Sequence, residues 1–212
     1  GDGMIVVTGY TSGNGEFGPF RDDRGGRGYI ASLNMTGHWQ WVAYTEATTL
    51  RESIVDETGN VFVIGYESEA TLTLWHSDGT AIDSSTSGGS AAQLLLGRLN
   101  STGHWQWVTS IPTSTSNSRI VGSNIAFALN GDLYIAGFCQ TETIPSYIMS
   151  SSFTCTSSGY TSFVAMVSMD GDFMWAVPSS TTPHTDNGDF ADLATDADGN
   201  AWFTQVIGTS RD

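Results

Sequence analysis

A ten-residue stretch occurs twice in this chain almost unchanged. Leu33-Asn-Met-Thr-Gly-His-Trp-Gln-Trp-Val42 recurs as Leu99-Asn-Ser-Thr-Gly-His-Trp-Gln-Trp-Val108, with a looser third copy in Val167-Ser-Met-Asp-Gly-Asp-Phe-Met-Trp-Ala176. The closing tryptophans stand at 41, 107 and 175, spacings of 66 and 68. A steady internal period restricts the fold more than any other feature. A unit too small to shield its own apolar side must lean on copies of itself.

A second motif alternates with the first. It runs from Ile54 to Tyr66, from Phe127 to Phe138 and from Leu193 to Thr204, with turn glycines at 59, 131 and 199. Both motifs read as β-hairpins, because Thr-Gly, Asn-Gly and Asp-Gly sit between β-branched and aromatic runs. Trp39 and Trp41, Trp105 and Trp107, and Phe173 and Trp175 are each two residues apart. Strand periodicity places both members of a pair on one face, as the packing between neighbouring repeats. No sustained helical periodicity is present.

The expected fold is therefore all-β: tandem four-stranded antiparallel blades of a β-propeller. Approximate blades are 1–50 (partial), 51–113, 114–180 and 181–212 (partial), making one propeller segment. Ser/Thr-rich insertions fall at 67–89 and 140–159. Thirteen strands do not divide into whole blades, so the expectation is part of a longer chain, or a subunit completed by other copies of itself.

The paired motifs resemble the bacterial and archaeal SBBP β-propeller repeat. The pattern D-x-x-G-N-V-Y-V-x-G-Y is met by Asp56, Gly59, Asn60, Val61, Phe62, Val63, Gly65 and Tyr66. The companion L-D-x-x-G-x-x-x-W is met by Leu33, Gly37 and Trp41 and by Leu99, Gly103 and Trp107. Asn34, Asn100 and Ser168 replace its usual acidic residue. The resemblance implies a surface scaffold and no common active site.

Charge narrows the partners. With 7 Arg, no Lys and 22 Asp+Glu the net charge is −15, which excludes phosphate-backbone recognition and disfavours anionic membranes. The absence of lysine excludes Schiff-base chemistry. No apolar run is long enough for membrane insertion as a helix. Ser and Thr make up about a quarter of the residues, which suits hydroxyl-covered strands. Cys139 and Cys155 lack zinc-site spacing; the preferred reading is a disulfide, implying an oxidising compartment, and the alternative is two separate buried thiols.

Several residues invite a chemical role. Asn34 and Asn100 open N-x-[ST] sequons at one repeat position, so glycosylated hairpin turns are expected, with asparagine as a mere turn former the alternative. His38 and His104 recur in identical contexts and read as architecture; His76 and His184 lie in loops. Asp186, Asp189, Asp192, Asp196 and Asp198 form an acidic run. Asp196 and Asp198 superficially match the start of a calcium loop, but Ala201 and Ile207 fail its later positions, so a hairpin turn with no cofactor is the preferred reading and calcium at Asp196 and Asp198 the alternative. Trp75 in the first insertion reads as a pin holding that insertion to its own blade, with a sugar-stacking platform as the alternative.

No catalytic constellation emerges, and the chain is expected not to be an enzyme. The expected role is an extracellular or cell-surface structural or adhesion scaffold, a sheath or filament component. The alternative is a glycan-binding or glycan-processing propeller with its site on the loop face.

Overall fold

A computed structural model describes residues 3–23, 27–46, 48–68, 71–85, 92–115, 117–144, 153–155, 159–178 and 190–205. Among these residues there are strands, turns and loops and no helix. The chain is all-β and every strand pairing is antiparallel.

The first sheet starts with β1 (Ile5–Thr11). After a small hairpin of β2 (Gly15–Phe17) and β3 (Phe20–Asp22), it continues through β4 (Arg27–Leu33) and β5 (Trp39–Glu46). The second sheet begins with β6 (Thr48–Val55) and β7 (Val61–Glu67). It is interrupted by the hairpin β8 (Thr71–Trp75) and β9 (Ala81–Ser85), then resumes with β10 (Gln93–Leu99) and β11 (Trp105–Ile111). The third repeats this plan. Strands β12 (Arg119–Phe127) and β13 (Leu133–Gln140) precede a short pair, β14 (Thr143–Ile144) and β15 (Phe153–Thr154). Strands β16 (Thr161–Val167) and β17 (Phe173–Pro178) follow it. A two-stranded sheet of β18 (Phe190–Thr195) and β19 (Ala201–Gln205) comes last. The two full sheets are four-stranded meanders, ordered β11-β10-β7-β6 and β12-β13-β16-β17.

Their middle strands are apolar almost without break because both faces are covered. In β7, Val61 and Val63 enter the core shared with the first sheet, alongside Ile30, Trp41, Ala43 and Leu50. Their neighbours Phe62 and Ile64 enter the core shared with the third sheet, alongside Ile120, Ile135 and Phe163. Strand β10 divides likewise, Leu95 and Leu99 to one side and Leu94 and Leu96 to the other. Alternation of period two thus sorts one continuous hydrophobic run into two seams.

Two expectations are corrected here. The paired aromatics do not share a face. Each Trp-bearing hairpin slips register at Ser32/Leu33, Arg98/Leu99 and Met166/Val167. A bulge there inverts the alternation. Trp39 consequently packs with Phe17 and Tyr29, while Trp41 lies in the core shared with the second sheet. Trp105 and Trp107 part in the same way, and Phe173 and Trp175 also diverge, Trp175 meeting Tyr134.

Nor does Trp75 hold its insertion to its own sheet. Strand β8 pairs with β5, placing Trp75 opposite Tyr44 and Leu74 opposite Thr45, so the insertion extends the preceding sheet to five strands. Leu72 and Leu74 are buried at that seam, and the Arg27 guanidinium lies 4.1 Å above the Trp75 ring, covering one of its faces.

Candidate functional site

One turn geometry recurs throughout. At Asn34, Asp56, His76, Asn100, Ala128, Ser168 and Asp196 the backbone N–H donates to the carbonyl four residues on, and the glycine three residues on donates back. Each of those glycines has φ between 79° and 93°, the left-handed conformation that lets a tight turn end in a bulge and re-enter a strand.

Side chains at the first position lock the turn. Asn34 Oδ1 accepts from the Thr36 N–H at 3.0 Å, the Thr36 hydroxyl at 2.7 Å and the His38 N–H at 3.0 Å. Asn100 does the same with Thr102 and His104, and Asp56 with Thr58 and Asn60. Both sequon asparagines thus occupy a turn-capping position that aspartate fills elsewhere. His38 and His104 each bond through Nδ1 to the threonine hydroxyl of their turn.

The turns are also where repeats meet. The Trp41 indole N–H donates to Ser101 O at 3.0 Å, and the Trp107 indole N–H donates to Met169 O at 3.2 Å. Ser101 and Met169 hold the same place in successive turns. A Cβ added at Gly103 would meet the Trp41 ring at 2.6 Å, and one at Gly171 would meet the Trp107 ring at 3.1 Å. The docking is therefore the same at both seams.

Where the first seam meets the β8–β9 turn, a cleft of about 620 Å³ opens, lined among others by Asn34, Gln40, Trp41, Ser77, Asp78 and His104. The β8–β9 turn is fastened to the β10–β11 turn. The Ser77 N–H donates to Gly103 O at 3.1 Å and the Ser77 hydroxyl to Thr102 O at 2.6 Å. The Trp105 N–H donates to His76 Nδ1 at 3.0 Å, so this nitrogen is the unprotonated one. The His76 and His104 rings stack with centroids 5.1 Å apart, and His104 Nε2 lies 3.3 Å from Asp78 Oδ2. The Thr80 hydroxyl and N–H, ahead of the His104 contact, hold the Asp78 carboxyl at about 2, so it is ionised at neutral pH. The cleft offers a carboxylate, an imidazole and two amide side chains as hydrogen-bonding groups.

Sequence reasoning did not anticipate Asp78 or the pairing of His76 with His104. The signal was legible in principle, since His76-Ser-Asp-Gly79 is a further copy of the repeated turn. Cys139 and Cys155 are joined in a disulfide that closes the insertion beside β13. It lies in the second seam with Ile120 and Phe163 and is consistent with an oxidising compartment. Asp196 is a turn cap: it accepts from the Asp198 and Asn200 N–H groups, the Asn200 amide and the Trp202 indole. These bonds, the Trp202 one foremost, hold its carboxyl at about 2, and both oxygens already face donors. Among the described residues no group of three or more His, Cys, Asp and Glu could hold a metal ion. His184, Asp186 and Asp189 lie outside the described residues.

No family model matches the chain, and no curated protein matches it. A solved structure described as a streptogramin B lyase is similar over 95% of this chain and 95% of its own, at 10% identity and a TM-score of 0.25. The expectation of a chain without enzymatic activity is corrected to an open one: the similar structure is described as an enzyme, and the want of a legible catalytic motif is no ground for excluding catalysis. A likeness of that size carries no activity over to this chain.

Proposed function

We propose that this chain is a segment of an SBBP-type β-propeller acting as an extracellular or cell-surface scaffold, in which each repeat is both a structural unit and the docking surface for its neighbour. The observation that carries the reading is the repeated seating of Trp41 on the Ser101–Gly103 turn and of Trp107 on the Met169–Gly171 turn. An architecture that propagates by one reused contact suits a protein whose work is to extend a rigid surface. The Ser/Thr-rich composition and the Cys139–Cys155 disulfide support placement outside the cell. Its partners are further blades or other copies of itself, and glycans carried at Asn34 and Asn100 belong to the same proposal. Electron microscopy of native material with intact mass measurement tests it. Assemblies larger than one chain, located at the cell surface, are expected; a discrete intracellular species contradicts the reading.

A second reading is favoured by the cleft at the first seam. Its planar amides, carboxylate and imidazole are the groups that pair with vicinal hydroxyls, so the cleft suits a saccharide. Trp41 in its wall is only 7% exposed, which leaves little aromatic face for stacking. Glycan-array binding of the wild type and of Asp78→Ala tests it: saccharide binding lost in the variant supports this reading, and no binding removes it.

A further inference from the structure

Each internal seam is built from two unlike halves, and strand register tells them apart. In the second sheet, Val61 and Val63 face the first sheet, while the register partners Ile54 and Phe62 face the third. In the third sheet, Leu133 and Ile135 face the second. The partners Ala126 and Tyr134 face the last pair of strands, where they meet Leu193 and Ala201. Val61, Val63, Phe62, Leu133 and Ile135 are all fully buried by these contacts.

At the first and last described sheets the same positions are open. Gly9-Tyr10 of β1 aligns with Gly65-Tyr66 of β7, which sets Ile5 and Val7 at the places of Val61 and Val63. Val6 packs into the seam with the second sheet, so strand alternation turns Ile5 and Val7 the other way. They are 46% and 36% exposed. The β2–β3 hairpin does not cover them. Its Phe17 packs on Tyr29 as Phe153 packs on Phe163 in the second seam, the place an insertion keeps at an internal seam. At the other side, Gly199-Asn-Ala-Trp202 aligns with Gly59-Asn-Val-Phe62, and Trp202 pairs with Ala194 as Phe62 does with Ile54. Leu193 and Ala201 face the third sheet, so Trp202 points away from it and is 64% exposed. Its indole N–H donates to Asp196 Oδ2 at 2.7 Å, which fixes the ring.

We propose that the Trp202 face of one copy of this chain docks on the Ile5–Val7 face of a second copy, building between molecules the seam that the second and third sheets build within one. The seam itself names the occupant: the half left open at one side is the complement of the half left open at the other. Trp202 takes the place of Phe62, and Ile5 and Val7 take those of Leu133 and Ile135. Two copies that each carry a net charge of −15 and no lysine repel one another, so burial of these apolar side chains supplies the attraction. The two faces differ, so the contact is heterologous. Each copy keeps one face free for the next, and assembly runs on into a ring or a filament. This inference rests on the scaffold reading and names the surface through which its copies meet.

The test is sedimentation velocity of the 212-residue chain at physiological ionic strength, which screens the repulsion between acidic copies. Wild type should form species of two or more chains that grow with concentration. Val7→Glu and Trp202→Glu should each be monomeric alone, because each lacks one half of the contact. Their equimolar mixture should give a species of twice the monomer mass and nothing larger, since Val7→Glu keeps its Trp202 face and Trp202→Glu its Ile5–Val7 face. Circular dichroism checks that each variant is folded, and Ile5→Glu, at the more exposed position, replaces Val7→Glu should that variant not fold. A wild type that stays monomeric at millimolar concentration, or a mixture that stays monomeric, overturns the proposal. A single variant that assembles like wild type overturns this contact and leaves the scaffold reading standing, whereas a discrete intracellular species overturns that reading.

Discussion

The indole of Trp41 rests against Gly103, the turn glycine of the next repeat, and donates its N–H to Ser101 O at 3.0 Å. Sixty-six residues on, Trp107 stands in the same relation to Gly171 and Met169. Glycine is required at these positions twice over, for its positive φ and for the absence of a Cβ under the ring.

That double requirement separates two kinds of turn glycine. Gly37 and Gly103 share a φ of 79°, but nothing lies within 4 Å of a Cβ at Gly37. Gly37→Ala should cost about 1 kcal/mol for the left-handed backbone alone. Gly103→Ala adds the overlap with the Trp41 ring and with Ser77 Cβ and should cost about 2–4 kcal/mol. Urea unfolding midpoints at constant m-value read the difference.

The sequon asparagines can be tested as caps and as glycan acceptors in one variant. Asn34→Asp keeps the acceptor oxygen that Asp56 supplies in its own turn while removing the sequon. Stability should change by less than about 0.5 kcal/mol, whereas Asn34→Ala should lose about 1 kcal/mol. If native material carries a glycan at this position, its intact mass falls by that glycan in both variants.

Glu52 should make stability depend on pH in a definite direction. Burial, foremost, and Asp192 raise its pKa above the ordinary glutamate value, against the lowering effect of the Ile125 and Asn124 hydrogen bonds. A carboxyl raised on folding favours the folded state while protonated, and that stability is lost as pH rises from the unfolded pKa through the folded one. Glu52→Gln should gain stability relative to wild type as pH rises above the ordinary glutamate pKa of about 4.3. Chemical denaturation at each pH measures it; a gap that narrows toward neutrality contradicts the placement of Glu52.

The Cys139–Cys155 bond closes a loop with a sequence separation of 16. Opening it should cost about 3 kcal/mol by the chain-entropy account. Free-thiol titration of native protein should find none, and the unfolding midpoint should drop on reduction.

The all-β class and the alternating hairpins were legible because glycine turns and apolar runs are local signals. The placement of Trp39 and Trp41 on opposite faces was not, since the bulge that separates them is set by pairing with Ser32 and Leu33 and leaves no mark in residue spacing. The grip of Trp75 on Tyr44 escaped for a similar reason: which sheet edge a hairpin joins is a long-range choice.

The repeating seam rests on the ring-on-turn contact between repeats, which a double-mutant cycle between Trp41→Leu and Gly103→Ala measures most directly. With the indole gone, the added methyl group loses its two shortest contacts, those with the Trp41 ring. Gly103→Ala should then cost its backbone share and the remaining contact with Ser77 Cβ at 2.9 Å, without the ring overlap, giving a coupling energy of at least about 1 kcal/mol, while the same cycle with Gly37→Ala should be additive within about 0.5 kcal/mol. Additivity at Gly103 as well would show that the tryptophan does not seat on that turn, and the repeating seam would fall with it.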